Sequence, residues 1–213
     1  RQRKYPIFNN AYMMTGSHHL YNYLPTKHEK WLTMIKQEII DSGLIVDILN
    51  AKTMEDVFRL LQGCSFLGSF LAYQYTIDMN YSPYINFSEN DFVKAGIGAI
   101  RGIKKCFLCY GNKCEDAIWY VKEHFNDLQK RYGYTSFHPL LGHEPTLIDL
   151  QNCFCETDKY LRAKMPELRI GNVRIKQKYM PHTDPIQFFF PPKWNIVEMY
   201  KYKPIVVPTL FDL

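Results

Sequence analysis

The chain has 213 residues, 46% of them hydrophobic, and its 26 lysines and arginines outnumber 21 aspartates and glutamates to give a formal net charge of +5. This length and apolar content can bury a sizeable core, and they exclude a chain that is disordered over most of its length. The charge is compatible with nucleic-acid binding but is below that of a purely electrostatic DNA binder. No apolar run reaches the roughly eighteen residues that a membrane span requires, so we expect an intracellular protein without a membrane partner.

Hydrophobic periodicity predicts eight helices. They span Tyr12–Leu24, Glu29–Ser42, Thr53–Leu61, Phe66–Met79, Glu89–Ala95, Ile100–Cys109, Cys114–Tyr132 and Leu147–Met165. The third helix is strongly predicted, because Thr53 and Asp56 have the spacing of a capping box at its start. Few segments alternate with the period of a strand before Arg169, so we predict a mostly α-helical domain over residues 1–166.

The character of the chain changes from about Glu167 onward. Prolines recur from Pro166 to Pro208 and exclude a long helix there. Aromatic and cationic residues dominate between them, as in Phe188–Phe190. We predict that residues 167–213 form an extended arm that packs on the helical body or on a protein partner, since an exposed apolar tail of this kind would aggregate.

A first glycine turn carries Gly63 and Gly68 and is followed by an apolar helix, a proline-containing loop and Asp91. Glycine lets the backbone approach a phosphate closely, and a helix N-terminus is electropositive. The segment resembles the hairpin of a DNA glycosylase-like helical domain, in which an acidic group arrives after one helix and a loop. The same residues also fit a buried helix after a glycine-rich turn, with Asp91 only starting the next helix.

A second turn, Gly96-Ile97-Gly98, is followed by the cations Arg101 and Lys104. This pattern fits a helix-hairpin-helix connection whose exposed amides and basic side chains contact a phosphate. It does not fit a dinucleotide-binding fold, because no strand precedes it. Close packing of two helices at the glycines is an equally compatible interpretation.

The six cysteines are too few and too unevenly spaced for a disulfide scaffold in a chain of this size. Cys106, Cys109 and Cys114 have the spacing of part of a metal knuckle, but the chain has no second C-x-x-C. We therefore predict reduced thiols, and neither a bound metal nor another cofactor.

Four segments stand in the order and approximate spacing of one family. They are FNNAY at Phe8–Tyr12, FLAYQ at Phe70–Gln74, END at Glu89–Asp91 leading into AGIGA at Ala95–Ala99, and CETDKYLR at Cys155–Arg162. Over residues 5–165 the chain resembles the α-glutamyl/putrescinyl thymine pyrophosphorylases, the amino acid:DNA transferases of phage base hypermodification, and the related helical domain found beside hydroxymethyluracil DNA kinases. The CE-x-x-KYLR block is the most specific of the four.

The resemblance implies an enzyme that acts on double-stranded DNA with the modified base extruded, and that transfers an amine onto a thymine whose methyl carbon carries pyrophosphate. Such chemistry needs a proton acceptor for the amine and donors for the departing phosphates. We therefore expect the glycine turns and the CE-x-x-KYLR helix to face one cleft. The candidates are Asp91, Glu156 and Lys159 for catalysis, Tyr73, Gln74, Asn10 and Tyr160 for the base, and Gly63, Gly68, Gly96, Gly98, Arg101, Lys104 and Arg162 for phosphates.

Departures from the family pattern leave the function open. Charged residues of the family's first helix are replaced by Met13–His19, and its GPG turn is Gly96-Ile97-Gly98 here. The chain is therefore either an active transferase or a catalytically inert DNA-binding or complex-assembly subunit with the same fold. His18 and His19 fit either proton carriers, since imidazole titrates near neutrality, or a solvated pair at the surface.

A base-excision glycosylase is a third possibility, in which Asp91 would stabilise a positively charged sugar. A lyase step does not fit it, because the Gly63–Gly68 turn contains no lysine that could form a Schiff base. Glu156 and Lys159 also have the spacing of a simple ion pair on one helix.

Overall fold

The computed structural model describes residues 14–134, 137–139, 143–171 and 190–196. These ranges contain helices α1 (Lys27–Met34), α2 (Leu44–Asn50), α3 (Met54–Gln62), α4 (Ser69–Asn80), α5 (Ile97–Cys106), α6 (Cys114–Glu123), α7 (Phe125–Arg131) and α8 (Leu147–Lys164). A π-helical turn, Ile35–Asp41, continues α1, and 3-10 turns lie at His19–Tyr21, Pro166–Leu168 and Pro192–Trp194. No β-strand occurs in the same ranges, and the mostly α-helical class is thereby confirmed.

Capping boxes start two helices of the N-terminal half. Thr26 precedes α1 and Thr53 precedes α3, and each threonine accepts a hydrogen bond from the backbone N–H three residues later. The carboxylates of Glu29 and Asp56 accept the return bonds from the cap N–H groups, at 3.1 and 3.0 Å. Each box satisfies two N–H groups that a helix start leaves unpaired, and the box predicted at Thr53 is confirmed.

The predicted helix Tyr12–Leu24 is wrong over the part that the structure describes, where only the turn His19–Tyr21 is helical. The carbonyl of Thr15 accepts a hydrogen bond from the indole N–H of Trp31 at 2.9 Å. The carbonyl of Gly16 accepts one from the ammonium of Lys30 at 3.1 Å. Side chains of α1 thus take the carbonyls that a helix would have paired with its own amides.

The predicted helix Glu89–Ala95 is also absent, and a turn followed by residues without regular secondary structure stands in its place. The N–H of Ala95 donates to the carboxylate of Glu115 at 3.1 Å, and the N–H of Gly96 donates to Oε1 of Gln151 at 3.1 Å. Because α6 and α8 supply these acceptors, the segment does not need helical hydrogen bonds.

The structure also differs from the prediction at α6 and α7 and at α2. The predicted helix Cys114–Tyr132 is divided into α6 and α7 at His124, whose φ of −106° and ψ of 20° leave the helical region. Helix α2 was not predicted, and it is separated from the preceding π-helical turn by Gly43 at a φ of 83°. That left-handed conformation favours glycine and lets the chain reverse within one residue.

Glu38 ties the π-helical turn to two other segments. Its Oε1 accepts the hydroxyl of Tyr21 at 2.6 Å, and its Oε2 accepts the N–H of Ser65 at 2.6 Å. Burial by itself would raise the pKa of Glu38, but the bonds from Ser65 and Tyr21 outweigh it and lower the pKa below its ordinary value. The carboxylate therefore stays ionised and fixes the start of the described chain against the Gly63–Gly68 turn.

Helices α5 and α8 are the most extensively packed helix pair in the described ranges. A Cβ atom added at Gly102 would lie 2.0 Å from the carbonyl oxygen of Phe154, and one added at Gly98 would lie 2.4 Å from Sγ of Cys155. The two glycines are four residues apart and share one face of α5. Their missing side chains let the α5 backbone contact α8 directly, and we call this contact the α5–α8 seam.

Residues 190–196 pack on the helical body. The indole N–H of Trp194 donates to Glu89 at 2.7 Å, and its ring stacks on His143 with a centroid distance of 3.8 Å. The ammonium of Lys193 donates to the carbonyl of Asn80, the last residue of α4, at 3.0 Å. Most of the predicted arm, residues 172–189 and 197–213, lies outside the described residues.

Replacement of Gly102 by alanine tests the seam. We expect Gly102→Ala to lower the free energy of unfolding by about 3 kcal/mol, because the new Cβ meets a backbone carbonyl that cannot rotate away. Gly68→Ala is the matched control, since a Cβ there meets no atom within 4 Å, and we expect it to cost less than about 1 kcal/mol. Urea unfolding measures both, and equal costs would contradict the backbone contact.

Candidate nucleic-acid interface

A buried ion cluster closes one end of the α5–α8 seam. The ammonium of Lys105 lies 2.6 Å from Oδ1 of Asp158, and Nη1 of Arg162 lies 3.5 Å from Oδ2 of the same carboxylate. The Lys105 and Asp158 side chains are only 2% and 3% exposed. Two cations share one carboxylate, so the cluster keeps an excess positive charge, and Arg162 holds the fold together as well as being a phosphate candidate.

The exposed face of α5 carries the other two predicted cationic contacts. Ile97, Arg101 and Lys104 follow at four- and three-residue spacing, which puts them on one face of the helix. Lys104 is exposed and Arg101 is half-buried, with its guanidinium beside Gly171. We call these three residues the outer face of α5, and it is distinct from the face that carries Gly98, Gly102 and Lys105 in the seam.

The catalytic candidates lie near different parts of α8. Asp91 is exposed, and its neighbour Asn90 accepts the N–H of Leu147 at 3.2 Å, which places Asp91 beside the start of α8. Glu156 lies nine residues after Leu147, about 14 Å along the helix axis at 1.5 Å per residue. The two carboxylates therefore do not form a pair around one reacting carbon.

Glu156 and Lys159 form an ion pair on the surface of α8, with 66% and 52% of their side chains exposed. The hydrogen bond that Lys159 donates to Glu156 raises the pKa of the lysine. The pair agrees with the simple helix-surface interpretation of its spacing, and it leaves both groups accessible to a ligand.

The base-binding candidates differ in their surroundings. Tyr73 is 1% exposed and belongs to the core, where its ring packs edge-on against Phe92 at a centroid distance of 5.8 Å. The faces of the Tyr73 ring are covered, so stacking on a base would require the core to open. Gln74 is half-buried, and its Nε2 is buried without a hydrogen-bond partner among the described residues. Tyr160 is 64% exposed on α8, and Asn10 lies outside the described residues.

Backbone N–H groups of both glycine turns, which the sequence predicts to bind phosphate, donate hydrogen bonds within the protein instead. The N–H of Gly63 donates to the carbonyls of Arg59 and Leu60 at the end of α3, and the N–H of Gly96 donates to Gln151. Gly98 packs against α8 and Gly68 starts α4. The expected cleft between the second turn and the CE-x-x-KYLR helix is therefore wrong, because direct packing at the seam fills that space.

Sequence reasoning missed three residues of this region, namely Gly102, Lys105 and Asp158. A sequence signal existed for two of them. Gly98 and Gly102 have the i, i+4 spacing of a close helix contact, and Asp158 and Arg162 have the same spacing for an ion pair. Only Lys105, which comes from another helix, required the tertiary structure.

The described residues contain no group of three or more histidine, cysteine, aspartate or glutamate side chains that could hold a metal ion. Cys106 and Cys109 are exposed, and burial raises the pKa of Cys114, which favours its protonated thiol. No helix in the part of the chain that the structure describes has the length and apolarity of a membrane span.

The structure thus defines a helical domain with a closed seam and an exposed cationic helix face. Residues 1–170 match the family model described as 5-hmdU DNA kinase, helical domain. The match covers most of the chain, and the chain belongs to this family. The resemblance to the hydroxymethyluracil DNA kinase helical domain, inferred from the four segments, is confirmed. Comparison with curated proteins and with solved structures yields no match.

Substitution of two carboxylates of α8 distinguishes the buried ion cluster from the surface ion pair. We expect Asp158→Asn to lower the free energy of unfolding by about 3–5 kcal/mol, because it leaves two buried cations without an anion. Glu156→Gln, two residues away and exposed, is the control and should cost less than about 0.5 kcal/mol. Chemical denaturation of both variants provides the measurement, and a cost for Asp158→Asn as small as that of the control would contradict the assignment.

Proposed function

We propose that the chain binds double-stranded DNA containing 5-hydroxymethyluracil, as the helical domain of a base-hypermodification protein. The family match over residues 1–170 carries this proposal, since the family's description names a kinase of 5-hmdU DNA. The net charge of +5 and the cations of the α5 outer face agree with a polyanionic partner. Arg101 and Lys104 contact backbone phosphates in this proposal, and such contacts set position rather than sequence preference.

A finer proposal is that the chain transfers an amine onto an activated thymine, with DNA as the substrate. The amine nitrogen attacks the methylene carbon on the pyrimidine ring, the bond from that carbon to the pyrophosphate oxygen breaks, and pyrophosphate leaves with the bonding electrons. A carboxylate takes the proton that the nitrogen loses. The four family-like segments support this reaction, and the exposure of Asp91 and of Glu156 leaves each able to accept that proton.

A catalytically inert DNA-binding or assembly subunit is the second candidate. It is favoured by the packing of the seam, because Gly98 lies against Cys155 where the transferase interpretation expected a cleft. It is also favoured by the separation of Asp91 from Glu156, because the two carboxylates do not form a pair around one reacting carbon. In this role the residues 167–213 would bind a protein partner as well as the helical body.

DNA binding is tested with a duplex that carries 5-hydroxymethyluracil. We expect Lys104→Ala to weaken binding to all duplexes alike and to reduce the slope of log affinity against log salt by about 1, the signature of one lost phosphate contact. Lys36→Ala, which removes an exposed lysine paired with Asp41 in the π-helical turn, is the control and should change neither quantity. Binding by the wild-type chain that does not depend on salt would contradict the phosphate contact.

Amine transfer is tested with single substitutions of the two accessible carboxylates. We expect Asp91→Asn or Glu156→Gln to reduce product formation by at least about 100-fold, the typical contribution of a general base. Mass spectrometry of nucleosides from the treated DNA measures the product, and circular dichroism verifies that each variant is folded. Product yields that match the wild-type chain in both variants would exclude both residues, whereas no product from any chain with intact DNA binding would favour the inert subunit.

A further inference from the structure

A cleft of about 320 Å³ opens between α3, residues 92–94 and the start of α6. None of its lining residues was a candidate in the sequence. Its volume is at the small end of the range for ligand sites in proteins. Its lining includes Phe58, Arg59, Gln62, Phe92, Lys113 and Glu115.

One wall of the cleft is aromatic. Phe92 is half-buried, and its ring packs at a centroid distance of 5.2 Å against the buried ring of Phe58. Phe92 also contacts Tyr73 on the core side. The aromatic wall is therefore held in place by the core, so it offers a fixed apolar surface to a planar ligand at small entropic cost.

The charges that line the cleft leave one cation in excess. Arg59 pairs with Glu55 at 2.6 Å, and Lys94 pairs with the buried carboxylate of Glu115 at 2.8 Å. No described carboxylate lies within salt-bridge distance of the exposed Lys113. The cleft thus carries three cations and two anions, which suits a ligand with a single negative charge.

We infer that this cleft holds one pyrimidine nucleotide of a DNA strand, with the base against Phe92 and the phosphodiester at Lys113 and Arg59. The inference rests on the proposed function, and it names the part of the substrate that the domain takes up. A phosphodiester carries one negative charge, in agreement with the excess cation. The amide of Gln62 both donates and accepts hydrogen bonds, as the edge of a pyrimidine requires.

The cleft contains the two kinds of contact that a nucleotide needs and that simpler ligands do not. An inorganic anion would gain nothing from the aromatic wall, and a neutral apolar molecule would gain nothing from the cations at the rim. Stacking on an aromatic ring combined with nearby cations is the general mode by which proteins hold an unpaired nucleotide. Asp91 directly precedes Phe92 in the chain, whereas Glu156 belongs to α8, which contributes no residue to the lining of the cleft.

The inference is tested by isothermal titration calorimetry with the 5′-methyl phosphodiester of 5-hydroxymethyl-2′-deoxyuridine, a mononucleotide with one negative charge, and, separately, with a duplex carrying the same base. We expect Lys113→Gln to weaken binding of the mononucleotide about tenfold, the equivalent of one charge-assisted hydrogen bond. We expect Gln62→Ala to weaken it as well. Lys104→Gln on the α5 outer face should leave mononucleotide binding unchanged while it weakens duplex binding.

Several outcomes would overturn the inference. They are failure of the wild-type chain to bind the mononucleotide, wild-type affinity in both Lys113→Gln and Gln62→Ala, and displacement by inorganic phosphate at the same concentration as by the nucleotide. If any of these occurs while the duplex still binds through Lys104, the cleft is not the nucleotide site and the proposed function stands. Failure of the wild-type chain to bind the duplex would contradict the proposed function together with the inference.

Discussion

The contact between the α5 backbone at Gly102 and the carbonyl of Phe154 sets the geometry of the domain. Because neither partner can yield, α5 and α8 have one relative position, and the residues at both ends of α5 are fixed with them. At its start, Gly96 reaches Gln151. At its end, Lys105 reaches Asp158 inside the seam.

The seam also explains the course of the chain before α5. Ala95 and Gly96 donate their N–H groups to side chains of α6 and α8, so the end of the segment before α5 is held by those two helices. This arrangement places Phe92 beside α3 and opens the cleft at the point where α3 and α6 approach each other. The seam thus leaves no space for a ligand between α5 and α8. It also positions the segment before α5, whose residues 92–94 form one wall of the cleft.

Two carboxylates of α8 show how position decides the role of an ion pair. Asp158 is buried and balances two cations, so its charge is required for the packing of the seam. Glu156 is exposed and its interaction with Lys159 is screened by water, so it contributes little to stability. The same difference makes Glu156 available for chemistry, whereas Asp158 is committed to structure.

The sequence contained the local features of the fold but not the contacts between distant segments. The capping box at Thr53 and the helix at Leu147 depend on neighbouring residues, and both were predicted. The helix expected at Glu89–Ala95 failed because Glu115 provides an acceptor from 20 residues away. Tyr73 was assigned to a base pocket and lies in the core, because aromatic character is the same in both places.

The candidate site was predictable to a similar degree. The sequence indicated the family resemblance. It also indicated close packing at Gly98, as one of two interpretations of the second glycine turn. The cleft was not, because its lining comes from α3, residues 92–94 and α6, and no short motif connects Arg59, Phe92 and Lys113. Spacing along one helix identifies a face, but a cavity between separate segments depends on how the helices pack.

We propose that the α5–α8 seam stays a closed core contact while DNA binds outside it, on the α5 outer face and at the cleft. Hydrogen–deuterium exchange can be measured on the chain with and without a duplex carrying 5-hydroxymethyluracil. We expect slow exchange of the α5 and α8 amides in both states, with new protection confined to the residues around Phe92 and Lys113. Fast exchange along α5 and α8 in the free chain that becomes slow on DNA binding would contradict it, since the seam itself would then be the DNA site.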